Sequence, residues 1–317
     1  MKVLFVHDHG VHAAHRAWAE SVNADFLDSN PRGLKGFMLP ISAKLSKINV
    51  GKDYDVILAE GGTCLPMAVK LKKKFRCKLI MISADSMFYD MPKYNIVRKR
   101  YIKKIIKHVD GIIAVSSLSK QYASKYISCP IEIVHPFANI AEFLKIKPKL
   151  EGKNIIFIGK HRPDKNIEGL IDCFRDIKKE VPEATLTLIG DLIRERIPKN
   201  LQNESGINIL GQTGIETLKK NLSESKLFMH ISWFDPCPVT VTESMAAGVP
   251  ALISTGVGNK DFVPKELVFE DNFAGHAIDL LNKDLRKLSK KCKKTAKEHT
   301  KEKSQKKFRK AFERLVK

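Results

Sequence analysis

The sequence predicts two consecutive α/β units, each a doubly wound parallel sheet covered by helices. Three observations carry that expectation. Short, almost wholly apolar runs alternate with amphipathic stretches, the pattern of buried parallel strands joined by helices. The series restarts after KIKPKLEGK (145–153), a polar stretch with Pro and Gly that reads as a linker. A chain of 317 residues, 43% hydrophobic and 29% charged, holds enough apolar material for two cores and is not a disordered chain.

KVLFV (2–6) opens the first series as a buried strand, with a helix expected around 11–22. Strand-like runs follow at 54–60 (YDVILAE), 78–83 (KLIMIS), 111–115 (GIIAV) and 131–134 (IEIV). Between them lie helical segments near 64–74, 93–108 and 117–126. The second series begins with NIIFIG (154–159), the amphipathic helix IEGLIDCFRDIKKEVP (167–182) and TLTLIG (185–190). It continues through INILG (207–211), LFMHIS (227–232) and PALIS (250–254), and from 274 onward the chain reads as helical with a Lys-rich end. Such alternation implies right-handed crossovers, with ligands at the carboxyl ends of the strands.

The formal charge of +21 is concentrated. Residues 70–107 carry 13 Lys/Arg against 2 Asp/Glu, and residues 283–317 carry 16 against 4, so these two patches hold the whole surplus. They suggest an anionic partner surface, membrane headgroups or nucleic acid, or else solvated Lys-rich faces. No recognisable nucleic-acid motif supports the second partner. No apolar stretch approaches the roughly 18 residues of a membrane span. The opening MKVLFVHDHG lacks the pattern of a secretory signal. Six widely spaced cysteines without a CxxC pair suit a reducing cytoplasm.

Chemistry-bearing residues gather in three stretches. In HISWFDPCPVTVTESMAAGVPALIS (230–254) a strand precedes a helix whose first turn suits Pro238 and whose end suits Gly248. Asp235 stands ahead of that helix and Glu243 within it, so the free amides could take phosphates and the carboxylates sugar hydroxyls. A capping Asp and a surface Glu would give the same pattern. In IFIGKHRPDKN (156–166), Lys160, Arg162 and Lys165 crowd the loop after Gly159, which suits a departing diphosphate or an ordinary basic loop capped by Asp164. HDHGVHAAH (7–15) has four histidines around Gly10. It admits a metal-dependent hydrolase reading, although no Asp/His set of suitable type stands out downstream.

Taken together, GKHRPDKN, VPEATLTLIGD, INILG and SWFDPCPVTVTESMAAGVPALIS, in that order and spacing, resemble glycosyltransferase family 4 over roughly 150–275. VDGIIAVSSLSK (109–120) and IEIVHPFANIAEF (131–143) add weaker matches. These are retaining enzymes of the GT-B fold with an E-x(7)-E signature. The resemblance implies two Rossmann-like domains facing a central cleft: an acceptor-binding domain over 1–146, a donor domain over 150–300, and a terminal helix over 301–317 that in relatives crosses back. Glu243 takes the place of the ribose-binding carboxylate, and Asp235 stands where the first Glu of the signature is usual. Lys165 matches the diphosphate lysine, while Lys160 replaces a common Arg and so loses its bidentate fork. Arg162, Pro238 and the amide of Val239 fall beside the phosphates, and Gly190 and Gly211 close strands whose loops would frame the base. In the first domain Gly10 takes the phosphate-loop position, and His7, His9, His12 and Asp85 fall on the acceptor side. Asp85 fits a loop cap equally well.

The activity implied is transfer of a sugar from a nucleotide-diphosphate donor to a hydroxyl of a glycan or lipid-linked acceptor, with no metal or further cofactor. The family's basic N-domain helix implies a cytoplasmic protein held on an anionic membrane face through 70–107, with 283–317 as a second patch. The alternatives are a metal-dependent hydrolase built on the His7–His15 cluster and a nucleic-acid-binding protein.

Overall fold

The computed structural model describes residues 1–8, 10–29, 50–51, 53–191 and 193–317. The chain forms two compact units, Met1–Phe137 with Lys301–Lys317, and Ala138–Thr300. In the first, strands β1 (Val3–His7), β2 (Asp25–Asp28), β3 (Val56–Glu60), β4 (Lys78–Ser83), β5 (Gly111–Ala114) and β6 (Ile131–Ile133) pair in parallel. Their order is β2-β1-β3-β4-β5-β6. Helices α1 (Ala13–Glu20), α2 (Leu65–Phe75), α3 (Ile96–Ile106) and α4 (Ser117–Ala123) alternate with them. The central strands are apolar on both faces because both are covered; Phe5, Ile57, Leu58 and Ile80 are fully buried. The edge strand β2, Asp-Phe-Leu-Asp, was not expected from sequence. It is polar and half-exposed, and its identity comes from pairing with Leu4 to His7 of β1.

The second unit repeats the plan with β7 (Asn154–Ile158), β8 (Thr185–Ile189), β9 (Ile207–Gly211), β10 (Leu227–His230), β11 (Ala251–Ser254) and β12 (Val268–Phe269). The order is β12-β11-β10-β7-β8-β9, all parallel. Its longer helices are α5 (Ile167–Glu180), α6 (Ile215–Glu224), α7 (Val239–Ala247), α8 (Phe273–Asn282) and α9 (Arg286–Ala296). The chain winds outward in one direction from β7 through β8, and in the other from β10 through β11. The strand order therefore reverses between β7 and β10, and in the first sheet between β1 and β3. Crevices open at the carboxyl ends of strands at such switch points.

One segment expectation changes. The stretch 145–153 is not a linker: the division falls after Phe137, and Phe143, Ile146 and Leu150 are buried in the core of the second unit. Lys293 Nζ donates to the Ile146 carbonyl at 2.6 Å, tying the segment down further. The last helix, α10 (Lys301–Val316), belongs to the first unit. Phe308 stacks on Trp18 with centroids 5.4 Å apart, and the Trp18 indole N–H donates to Ser304 Oγ at 2.9 Å. Gly111 admits this helix, since a Cβ there would come within 3.0 Å of the Leu315 side chain.

Candidate functional site

In the second unit, the loops after β7 and β10 meet at the switch point. Gly159 directly follows β7, and the chain turns through a 3-10 segment, Pro163–Lys165, before α5. Asn166 closes the turn in the left-handed region, at φ 54°, and its Nδ2 donates to the Ile231 carbonyl at 3.2 Å. The Trp233 amide donates to the Asp164 carbonyl at 2.9 Å, so two loops distant in sequence are stitched together by backbone. Their side chains follow: Lys165 Nζ lies 2.5 Å from Asp235 Oδ2 and 3.6 Å from Asp164 Oδ2. The turn that carries Lys165 and the loop that carries Asp235 thus meet within one unit.

Asp235 is almost fully buried, and its Oδ2 also accepts from His230 Nε2 at 2.8 Å. Burial by itself would push this carboxyl up. The His230 hydrogen bond and the Lys165 ammonium outweigh it and hold Asp235 below the usual carboxylate range. His230 is itself buried and stacks on Phe157 at 5.3 Å, with Nδ1 buried and unpartnered. Because a carboxylate can only accept, the hydrogen must sit on Nε2. His230 was not singled out in the sequence. The available signal was a polar residue ending an otherwise apolar strand.

Glu243 differs. It sits half-buried in α7, with no side-chain hydrogen bond or ion pair among the described residues. Burial pushes its carboxyl up to about 7. Pro238 caps α7 without any side-chain hydrogen bond to the first amides, and Asn259 Nδ2 fixes the Pro238 carbonyl at 3.1 Å. Val239 is the first helical residue. The helix start therefore offers backbone donors and the positive end of a dipole.

Lys160 and Arg162 are more peripheral. Lys160 is 71% exposed, 3.6 Å from Asp191, and Arg162 Nε bonds Asp164 Oδ1 at 2.9 Å. Gly190 backs the loop of Gly159 so closely that a Cβ would sit 1.5 Å from the Gly159 carbonyl oxygen. Gly211, at φ 69°, accepts the Gly190 amide on its carbonyl at 2.8 Å.

In the first unit, His7 ends β1, its ring 5.9 Å from Phe5, with Nδ1 buried and without a hydrogen-bond partner among the described residues. Gly10 turns the loop at φ 68° with open space where a Cβ would be. His12 caps α1: its Nδ1 accepts from the Ala14 amide at 3.3 Å. Loss of solvent around the ring, then the neighbouring His15, push His12 down to about 4 against the pull of Glu60. The buried His15 pairs with Glu60 at 2.6 Å, a contact absent from the sequence expectations. Asp85 serves a loop: its two oxygens accept from Gly62 N at 2.6 Å and Met87 N at 3.1 Å. His9 lies outside the described residues. Among the described residues, no group of three or more His, Cys, Asp or Glu is placed to hold a metal.

The family model for glycosyl transferases group 1 matches residues 139–299, just over half the chain. The chain belongs to this family. It is a glycosyltransferase, and the alternatives of a hydrolase or a nucleic-acid-binding protein are not favoured. The uncharacterized glycosyltransferase YqgM of Bacillus subtilis is 21% identical over 254 residues, covering 75% of this chain and 70% of that one. The GDP-Man:Man(3)GlcNAc(2)-PP-Dol alpha-1,2-mannosyltransferase of Xenopus tropicalis is 30% identical over 164 residues, 46% of this chain. That match spans about a third (34%) of the mannosyltransferase's own length. Among solved structures, Anabaena Alr3699/HepE in complex with UDP and glucose aligns with TM-score 0.73 at 14% identity, covering 99% of this chain and 100% of that one. Sucrose-phosphate synthase from Thermosynechococcus elongatus aligns with TM-score 0.75 at 15% identity, covering 99% of each chain. The fold is GT-B, as the sequence resemblance implied.

Proposed function

We propose that this glycosyltransferase moves a sugar from a nucleotide-diphosphate donor to an acceptor hydroxyl with retention at the anomeric carbon. The observation that carries the reading is the Lys165–Asp235 contact beside the uncapped start of α7, with the unpaired Glu243 in the same helix. Lys165, the more exposed Lys160 and Arg162, and the Val239 amide hold the diphosphate behind Pro238. Glu243 accepts from the ribose, and Asp235 stands at the donor sugar. The loops closed by Gly190 and Gly211 frame the base.

As the anomeric C–O bond breaks, its electron pair leaves with the diphosphate, whose growing charge the cations and amides stabilise. The acceptor oxygen then bonds the same face, and its proton passes to the leaving phosphate oxygen. This scheme requires no protein nucleophile, metal or cofactor. In the first unit, Gly10, His7, His12 and Asp85 are the candidate acceptor-side groups. His12 would act there as a neutral donor through Nε2, since Nδ1 is engaged by the Ala14 amide.

We place the acceptor among glycans or lipid-linked sugars, the kind of acceptor named for the GDP-Man:Man(3)GlcNAc(2)-PP-Dol alpha-1,2-mannosyltransferases of Xenopus. The enzyme would work in the cytoplasm, against an anionic membrane face. The free thiols of the described cysteines agree with a reducing compartment. No helix among the described residues is long and apolar enough to cross a membrane.

The test is a thermal-shift series with UDP-, GDP- and ADP-sugars, followed by turnover. A donor present at a hundredfold over its Kd stabilises by about 2.7 kcal/mol, a readily measured rise in Tm. Lys165→Ala and Glu243→Gln should each cut turnover by at least about a hundredfold, with wild-type circular dichroism. Undiminished turnover by a folded Glu243→Gln protein would refute the donor-site assignment.

A further inference from the structure

The chain has two tryptophans, and their environments are opposite. Trp18 is fully buried under α10. Trp233 is 62% exposed, although its neighbours Ile231, Ser232, Phe234 and Asp235 are all buried. A single exposed apolar residue is ordinary on a protein surface; what sets this one apart is that its backbone belongs to the loop carrying Asp235 and is bonded to the turn carrying Lys165.

The base that presents the ring is held from several directions. The Trp233 and Phe234 amides both donate to the Asp164 carbonyl, at 2.9 and 3.4 Å. The preceding Ser232 carbonyl accepts Ser254 Oγ at 2.5 Å. Gly256 passes so close that a Cβ there would lie 2.5 Å from both the Ser232 and Trp233 carbonyl oxygens. The backbone is thus clamped between the turn that carries Lys165 and the end of β11. Holding this ring in place on binding costs little ordering entropy.

We propose that Trp233 is a stacking platform for the C–H face of a pyranose ring. The inference rests on the donor-site reading above and adds a binding group to it. A pyranose has an apolar C–H face and a rim of hydroxyls. The electron-rich indole face attracts polarised C–H groups, as it does other positive edges. The hydroxyl rim needs charged or polar partners, and Asp164 and Asp235 lie in the two loops that the Trp233 backbone joins. Either the donor sugar or the acceptor sugar could supply the ring, and the experiment separates them.

Because Trp18 is shielded, tryptophan emission and its quenching by acrylamide report chiefly on Trp233. UDP, GDP, UDP-glucose, GDP-mannose, methyl α-glucoside and methyl α-mannoside are titrated against the full chain, with Tm measured in parallel. If the platform holds the donor sugar, a nucleotide sugar shields Trp233 and the matching nucleoside diphosphate does not. If it holds the acceptor sugar, a methyl glycoside shields it without nucleotide. Trp233→Phe keeps a ring and should change KM for the bound sugar by no more than about threefold, whereas Trp233→Ala should raise it about tenfold. The Phe variant also abolishes the emission response, which confirms its source. Unchanged quenching with every sugar-bearing probe overturns the proposal, and so does equal shielding by UDP or GDP alone. A Tm rise with a nucleotide sugar but no change at Trp233 removes the platform and leaves the donor site standing. Absence of any nucleotide-induced Tm rise counts instead against the donor-site reading.

Discussion

Glu243 and Asp235 stand with seven residues between them in an uncharged stretch, yet their surroundings push them in opposite directions. Asp235 is buried beside a hydrogen-bonding imidazole and an ammonium, which hold its carboxyl below the usual carboxylate range. Glu243 is desolvated with nothing to compensate, which raises it from 4.5 to about 7. The sign of the stability effect follows. Below pH 4.5 both folded and unfolded Glu243 are protonated and no penalty exists; between 4.5 and about 7 only the unfolded chain releases the proton, so stability falls as pH rises. On the proposed donor-site reading, the ionised form is the one that accepts the ribose hydroxyls. Donor affinity should therefore fall about tenfold per pH unit below about 7, with proton release on binding near that pH. Isothermal calorimetry in buffers of different ionisation enthalpy reads both effects, and Glu243→Gln should remove both. Affinity independent of pH from 5.5 to 7.5 would show that Glu243 does not touch the ligand.

Among the elements, the two strand-to-loop junctions do most to shape the site. Gly159 and Gly190 end adjacent strands, and their backbones touch where any side chain would intrude. Gly190 also has φ 149°, a region that L-residues rarely adopt. Gly190→Ala should cost about 3 kcal/mol or more and displace the loop of Lys160 and Lys165. Thermal denaturation and donor titration together check this; a variant with wild-type Tm would show that the loop can yield. Strand and helix positions were legible wherever the burial was two-sided, as in β1, β3, β4, β7 and β8. The edge strands β2 and β12 were not. One is polar and the other two residues long, so pairing with a neighbour defines them and hydrophobic pattern does not.

Over the whole molecule, the charge surplus divides into cations the fold already uses and cations it leaves outward. Lys72 pairs with Asp110 at 2.6 Å, Lys78 Nζ donates to the Val316 carbonyl at 2.9 Å and Lys99 Nζ to the Pro92 carbonyl at 2.8 Å. Lysines close helices α2, α3, α5 and α9, where they favourably meet the negative end of each dipole. This structural use accounts for part of the patch at 70–107. What it leaves unexplained is the start of α3, where Ile96 and Val97 are 63% and 70% exposed a turn ahead of the exposed Arg100. Apolar side chains flanked by cations suit the interface of an anionic bilayer, with about 1 kcal/mol per basic residue near the surface. The protein should float with phosphatidylglycerol liposomes at low salt and less well with phosphatidylcholine, and Ile96→Glu with Val97→Glu should weaken flotation. Equal behaviour on both lipids would remove the membrane from the proposal.

The sequence by itself determined the two-sheet plan and the family, because two-sided burial and the spacing of Lys165, Asp235 and Glu243 are written locally. It also pointed to Gly159, Gly190 and Gly211 as strand ends. Only the tertiary structure decided which charges meet. The backbone bond from Trp233 to Asp164 brings Lys165 onto Asp235, and β10 places His230 beneath it. It also drew 145–153 into the second unit. Such pairings depend on strand order and on burial across long sequence separations, and neither leaves a periodic trace in the chain.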